Sequence, residues 1–154
     1  ADVRWISDRY LDGLRLRLRE MRRADQRVYK LTQKVPVRAG EVSITNIYLS
    51  AQEHERLTAL PGTELVKTRS LHEHAGSMFV VDVFAGRLGG LLLAEVEVAD
   101  LLAPLALPPW LGAEVTADER FTGGRLATAT DAQVVELLAL SAGTTRPGKH
   151  AHLR

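Results

Sequence analysis

The sequence predicts an α+β protein: an antiparallel sheet or barrel with helices packed outside it. Three observations carry this. Leu14 to Arg19 (LRLRLR) alternates strictly, and side chains two apart on a strand share a face. About seven strand-like runs follow one another through short turns, as antiparallel neighbours do. Only Ser50 to Leu60 and Thr130 to Ser141 switch to a helical period.

Val3 to Leu11 reads as a strand, and Asp12-Gly13 turns it into the Leu/Arg strand as a hairpin. Arg22 to Gln26 is polar and reads as a loop. Val28 to Lys34 is a third strand with Lys30, Thr32 and Lys34 on one face. Pro36 to Gly40 breaks the chain, and Glu41 to Leu49 is a fourth strand. Ser50 with Glu53 forms a capping box for a helix that Pro61-Gly62 stops. Leu65 to Ser70 is a strand carrying Lys67 and Arg69 on one face. Ser77 to Phe84 is apolar except at Asp82. Leu91 to Val98 places Glu95 and Glu97 together. Asp100 to Pro109 is irregular, and WLGAEVTADERF from Trp110 reads as a turn or short helix. The last helix starts at Thr130 or Asp131, and residues 143–154 read as a polar tail behind a single domain of residues 1–142.

With 154 residues, 45 % hydrophobic and 25 % charged, the chain is long enough for one cored domain. A net charge of +1 argues against nucleic-acid or membrane binding by overall charge. There is no cysteine, hence no disulfide frame or thiolate chemistry. No apolar run reaches membrane-spanning length. A cytoplasmic location is the expectation.

The charges set the chemical question. Neighbouring arginines on the Leu/Arg strand stand roughly 7 Å apart. At an effective dielectric near 20 each pair repels by about 2 kcal/mol. A solvated face tolerates that, and an ordinary sheet with one wet face gives this pattern. An enclosed face needs anions. If the strands close with polar faces inward, cations line one wall and Asp82, Glu95 and Glu97 another. Basic side chains hold phosphate oxygens, and a Glu-x-Glu strand can hold Mg²⁺ or Mn²⁺. His72 and His74 read as a solvated turn, Lys149 to His152 as a loose tail, and Trp110 as a core plug.

Several stretches resemble the CYTH domain, or triphosphate tunnel metalloenzyme family. They are Tyr10-Leu11, LRLRL (Leu14 to Leu18), KLTQK (Lys30 to Lys34), VKTR (Val66 to Arg69), VVDVFAG (Val80 to Gly86), GLLLAEVEV (Gly90 to Val98) and LPPWLGAEVTADERF (Leu107 to Phe121). They keep the family's order across most of residues 5 to 127. The resemblance implies an eight-stranded antiparallel barrel forming a tunnel, with flanking helices. It implies hydrolysis of inorganic, thiamine or RNA 5′-triphosphates, or cyclisation of ATP, with Mg²⁺ or Mn²⁺. It implies phosphate binding by Arg15, Arg17, Lys34 and Arg69, with Lys67 and Arg120 as further members, and a metal near Glu95, Glu97 and Asp82. Arg19 and Lys30 point inward by alternation alone. The family's first strand, Glu-x-Glu-x-Lys, is not among these residues: it lies upstream of Ala1, is disordered, or is absent. Fourth-strand glutamates are replaced by Val42 and Ile44. A barrel without the first strand has an open seam. The ligand expected is a triphosphate or polyphosphate, hydrolysed or, in a catalytically degenerate relative, only bound as by a sensor or scaffold. A homodimer is left open.

Overall fold

In a computed structural model, residues 2–38, 41–100, 102–142 and 149–153 are described. Residues 39–40 of the expected break and 143–148 of the expected tail lie outside them. The strands are β1 (Val3–Leu11), β2 (Leu16–Arg23), β3 (Gln26–Arg38), β4 (Glu41–Leu49), β5 (Gly62–His74), β6 (Ser77–Phe84), β7 (Leu92–Val96) and β8 (Lys149–Leu153). The helices are α1 (Ala51–Leu57), α2 (Gly123–Thr128) and α3 (Asp131–Ala142).

The first seven strands pair antiparallel in the order β4-β3-β2-β1-β5-β6-β7, and β8 adds in parallel to β7. The sheet curls into a half-barrel. The charge of Arg69 on β5 is felt by Lys30 on β3, although two strands lie between them. The expected eight-stranded closed barrel is therefore corrected to an open one. Among the described residues β4 and β8 are the two outer strands and do not pair with each other.

Turn chemistry sets the strand lengths. The expected loop at Arg22 to Gln26 shrinks to Ala24-Asp25, with Ala24 at φ 50, so β2 and β3 pair out to Arg23 and Gln26. Ala75-Gly76, at φ 48 and 79, closes a second tight hairpin. His72 and His74 are thus strand residues rather than turn residues. His72 pairs with Phe79 and its ring lies 5.8 Å from that of Trp110. Trp110 in turn packs edge-on against buried Phe79 on the sheet's outer side. Ser50 and Glu53 form the expected capping box. Thr130 and Gln133 form an equivalent reciprocal pair ahead of α3.

The inner face divides in two. Its apolar half joins Leu65, Phe84 and Leu93 from the strands to Phe121, Leu126 and Leu137 from the segment that crosses them. Tyr10 packs against this cluster. α2 approaches so closely that any side chain at Gly123 would run into the Tyr10 hydroxyl. The polar half lies beyond, toward β1, β2 and β3.

Candidate anion site

Register brings the polar half together. β1 pairs Asp8 with Arg19 and Tyr10 with Arg17. β2 pairs Arg19 with Lys30 and Arg17 with Thr32. β5 pairs Arg69 with Asp82. Alternation then sends all these side chains to the same face as Lys67.

Two carboxylates organise the cations. Asp8 is fully buried and accepts from Arg19 Nε and Nη2 at 2.6 and 2.7 Å. Arg17 Nε stands 3.7 Å from the same carboxylate. Asp82, 2 % exposed, accepts from Arg69 Nε and Nη2 at 2.7 and 2.9 Å, and Lys67 Nζ lies 2.6 Å from it. Lys67 is buried 5.5 Å from the centre of the Phe84 ring, at the border with the apolar half. Arg17 donates to Thr32 Oγ1 at a long 3.4 Å, while Thr32 donates to Asn46 at 2.7 Å. The Arg17 Nε is buried without a hydrogen-bond partner among the described residues.

The electrostatics follow from burial. Burial alone would raise the Asp8 carboxyl, but the Arg19 fork, with Arg17 and Lys67, holds it below the usual range. Burial opposes the Asp82 charge too, yet Arg69 and Lys67 bring it down to about 2. Burial pushes the Lys67 ammonium down, against the pull of Asp82. Burial lowers Lys30 as well, and Arg19, Arg17 and Arg69 press in the same direction. Five cations, Arg17, Arg19, Lys30, Lys67 and Arg69, surround two buried carboxylates, and Glu95 is near enough for Arg69 to feel it. An enclosed excess of positive charge is the setting in which a multiply charged anion replaces lost solvation.

The depressed Asp82 value makes a stability prediction. A carboxyl ordinarily near 3.8 that titrates at about 2 when folded stabilises the fold above pH 4, by about 2 kcal/mol. That contribution is lost as pH falls toward 2. The difference in melting temperature between wild type and Asp82→Asn should therefore narrow steadily from pH 5 to pH 2.5 in calorimetry. A gap that stays constant would show that the ionised form is not preferentially held.

Of the residues expected from sequence, Arg17, Lys67, Arg69 and Asp82 converge. Lys34 sits one step further along the β3 row, and Arg15 lies exposed in the bend before β2; both line a cavity at the mouth. Arg120 lies elsewhere: on a 3₁₀ turn (Glu119–Phe121) it is exposed, paired with Asp118 at 2.7 Å and with Glu136 of α3 at 3.4 Å. Glu95 is half-buried on β7, and Glu97 is exposed past the end of that strand. Asp8 and Asn46 were not anticipated. Only the hairpin register could have found Asp8.

The donor set does not fit an Mg²⁺ or Mn²⁺ centre held by the protein. Both oxygens of Asp82 are taken by Arg69 and Lys67, and both of Asp8 by Arg19. Among the described residues no three His, Cys, Asp or Glu side chains converge as metal ligands. No described helix is long and apolar enough to cross a membrane.

No protein-family model matches the chain. Over 72 residues it is 44 % identical to an inorganic triphosphatase of Nitrosomonas europaea, covering 45 % of this chain and 48 % of that protein. Over 60 residues it is 38 % identical to an inorganic triphosphatase of Acetivibrio thermocellus, covering 39 % and 38 %. The matched stretches thus span less than half of each of these relatives. A crystal structure of an inorganic triphosphatase superposes with a TM-score of 0.58 at 28 % identity, over 84 % of this chain and 88 % of that one. In sequence stretches and in backbone the chain is similar to inorganic triphosphatases, a likeness consistent with a CYTH-type fold.

Proposed function

We propose that this protein binds a triphosphate compound on its basic concave face and hydrolyses a phosphoanhydride bond of it, with inorganic triphosphate as the first substrate to test. The observation that carries the reading is the convergence of Arg17 and Arg19 from β2, Lys30 from β3, and Lys67 and Arg69 from β5 around Asp8 of β1 and Asp82 of β6. The similar proteins named inorganic triphosphatase support it.

In this reading Arg19 and Asp8 are scaffold, and Arg17, Lys30, Lys34, Lys67 and Arg69 hold phosphoryl oxygens. Phosphoryl transfer asks little covalent chemistry of a protein. Positioning and neutralisation of the charge spread over the transferred group do most of the work. Guanidinium forks suit that task, because they meet two phosphate oxygens at fixed angles. Arg15 stands at the entrance to the same rows.

A second reading is binding without turnover. It is favoured by the saturation of both buried carboxylates with cations, which leaves neither positioned to take a proton from water. One pair of measurements separates the two. Millimolar sodium triphosphate should raise the melting temperature, since a ligand of the folded state stabilises it. Release of orthophosphate over hours, with and without Mg²⁺ or Mn²⁺ in the buffer, supports the hydrolase. Stabilisation without release supports the binder. Neither effect would overturn both.

A further inference from the structure

β4 is an outer strand: among the described residues it pairs with β3 and with no strand on its other side. Such an edge offers a row of main-chain N–H and C=O groups to any strand that can approach. Proteins commonly guard it with lysine, with proline or by keeping it short. β4 does none of these. It is nine residues long, eight of them exposed, and its sequence EVSITNIYL holds a single charge. That charge, Glu41, stands at the end of the strand and is bound by Arg38 at 2.8 Å. Both faces instead carry exposed apolar side chains. Ile44 and Tyr48 lie opposite Lys34 and Lys30 on the concave face, with Val42 in the same row, and Ile47 lies opposite Leu31 on the convex face. α1 folds back toward β3, where the His54 ring lies 4.7 Å from that of Tyr29, and so leaves the edge of β4 open.

We infer that the free edge of β4 is the interface of a homodimer, in which it pairs antiparallel with β4 of a second copy about a two-fold axis at Thr45. This is independent of the triphosphate reading. The strand's own sequence selects the occupant. Thr45 is its middle residue, so a two-fold axis there matches the strand along its whole length. Val42 meets the partner's Tyr48, Ser43 the partner's Ile47, Ile44 the partner's Asn46, and Thr45 its own counterpart. Aromatic with β-branched, and threonine with threonine, are cross-strand pairs that stabilise a sheet. No charge falls opposite a like charge, since Glu41 meets the partner's Leu49. A shift by two residues, the smallest that keeps each face in place, shortens the ladder. A nine-residue antiparallel ladder supplies roughly eight main-chain hydrogen bonds, as many as ordinary stable interfaces carry. Each copy uses the same surface, so the contact closes at two and does not grow into a fibre. The two concave faces then lie on one side of a continuous sheet, with the Val42–Tyr48 pairs between them.

The test is sedimentation equilibrium of wild type, Thr45→Lys, Thr45→Glu, an equimolar mixture of those two, and Val135→Lys. Wild type should sediment as twice 16.9 kDa. Thr45 is exposed, so either charge is tolerated in one copy, but across the two-fold axis it meets its like. Each Thr45 variant alone should dimerise at least tenfold more weakly than wild type, and the mixture should recover the dimer, because lysine then opposes glutamate. Val135 is an exposed apolar residue of α3, away from β4, and its lysine variant should dimerise like wild type. Circular dichroism verifies that each variant is folded. If the Thr45 charge variants do not fold, cross-linking decides. The chain has no cysteine, so with oxidised glutathione Thr45→Cys should form a disulfide-linked dimer and Ser43→Cys, whose counterpart stands four residues further along the ladder, should not. A wild type that stays monomeric at about 0.1 mM overturns the inference, as does a dimer that survives both Thr45 charges. A mixture that fails to recover the dimer, equal loss in Val135→Lys, or equal cross-linking at positions 43 and 45 overturns it too, by placing the contact elsewhere.

Discussion

Arg19→Met should destabilise the fold by about 3–5 kcal/mol, the scale for stripping one partner from a buried ion pair. Asp8 is completely buried, and both its oxygens are bound by the Arg19 fork. Without that fork the nearest cation is Arg17, 3.7 Å away and not hydrogen-bonded to it. Asp8 would then have to take up a proton or stay charged in a dry place. For a chain of this length, each kcal/mol is worth roughly 2–4 °C, so the melting temperature should drop by roughly 6–20 °C. The loss should be greater at pH 7 than at pH 4, because protonation relieves the stranded carboxylate. Replacing both partners, Asp8→Leu with Arg19→Met, should restore part of the stability, since the stranded carboxylate is removed, while Arg17 loses the carboxylate 3.7 Å away. A shift of only about 2 °C in the single variant would show that Asp8 does not depend on Arg19.

The contrast between Arg19 and its neighbour shows what could be read from sequence and what could not. Alternation in Leu14 to Arg19 predicted that the three arginines share a face; Arg17 and Arg19 of β2 do share the enclosed one, while Arg15 lies exposed in the bend before β2. Alternation could not rank them. Arg15, Arg17 and Arg19 look equivalent as letters, yet one lies at an open mouth, one is half-satisfied and one is locked to Asp8. The ranking is set by a partner strand. Asp8 sits among Ser7, Arg9 and Tyr10 with no periodic signal, and only the count back from Asp12-Gly13 pairs it with Arg19. Arg120 shows the reverse situation. The resemblance implied it as a phosphate ligand, and in the structure the aspartate two residues back folds onto the guanidinium itself. The capping boxes were legible, or nearly so, because they are local: Ser50 with Glu53 was read directly and Thr130 with Gln133 lies at the expected start of α3. Closure of the barrel was not local. It came from resemblance, and the described strands stop short of it because β4 and β8 find no partner in each other.

Arg17→Met should do the reverse of Arg19→Met: a smaller change in stability and a large one in anion binding. The Arg17 contacts are 3.4 Å to Thr32, 3.7 Å to Asp8 and a hydrogen bond with the Tyr10 phenol, and its Nε is buried without a hydrogen-bond partner among the described residues. Burial presses its charge down, and Arg19 adds to the pressure, while Asp8 and the Tyr10 phenol support it. A guanidinium held in such a place gains most when an anion arrives. Hydrogen bonds to charged groups contribute about 1.5–3 kcal/mol each, so losing this fork should weaken triphosphate binding roughly 10- to 100-fold. Removing it should cost the fold less than Arg19→Met, because Asp8 keeps its two short bonds to Arg19 and Thr32 keeps Asn46, so that the Tyr10 phenol is the main group to lose a partner. Arg17→Lys separates charge from geometry: an ammonium retains the attraction but loses the fork, so its affinity should fall between wild type and Arg17→Met. Titration calorimetry with sodium triphosphate, paired with melting curves of the same three proteins, measures both halves. If Arg17→Met melts far below wild type yet binds triphosphate as tightly, then Arg17 belongs to the scaffold, and the division of labour between the two arginines is wrong.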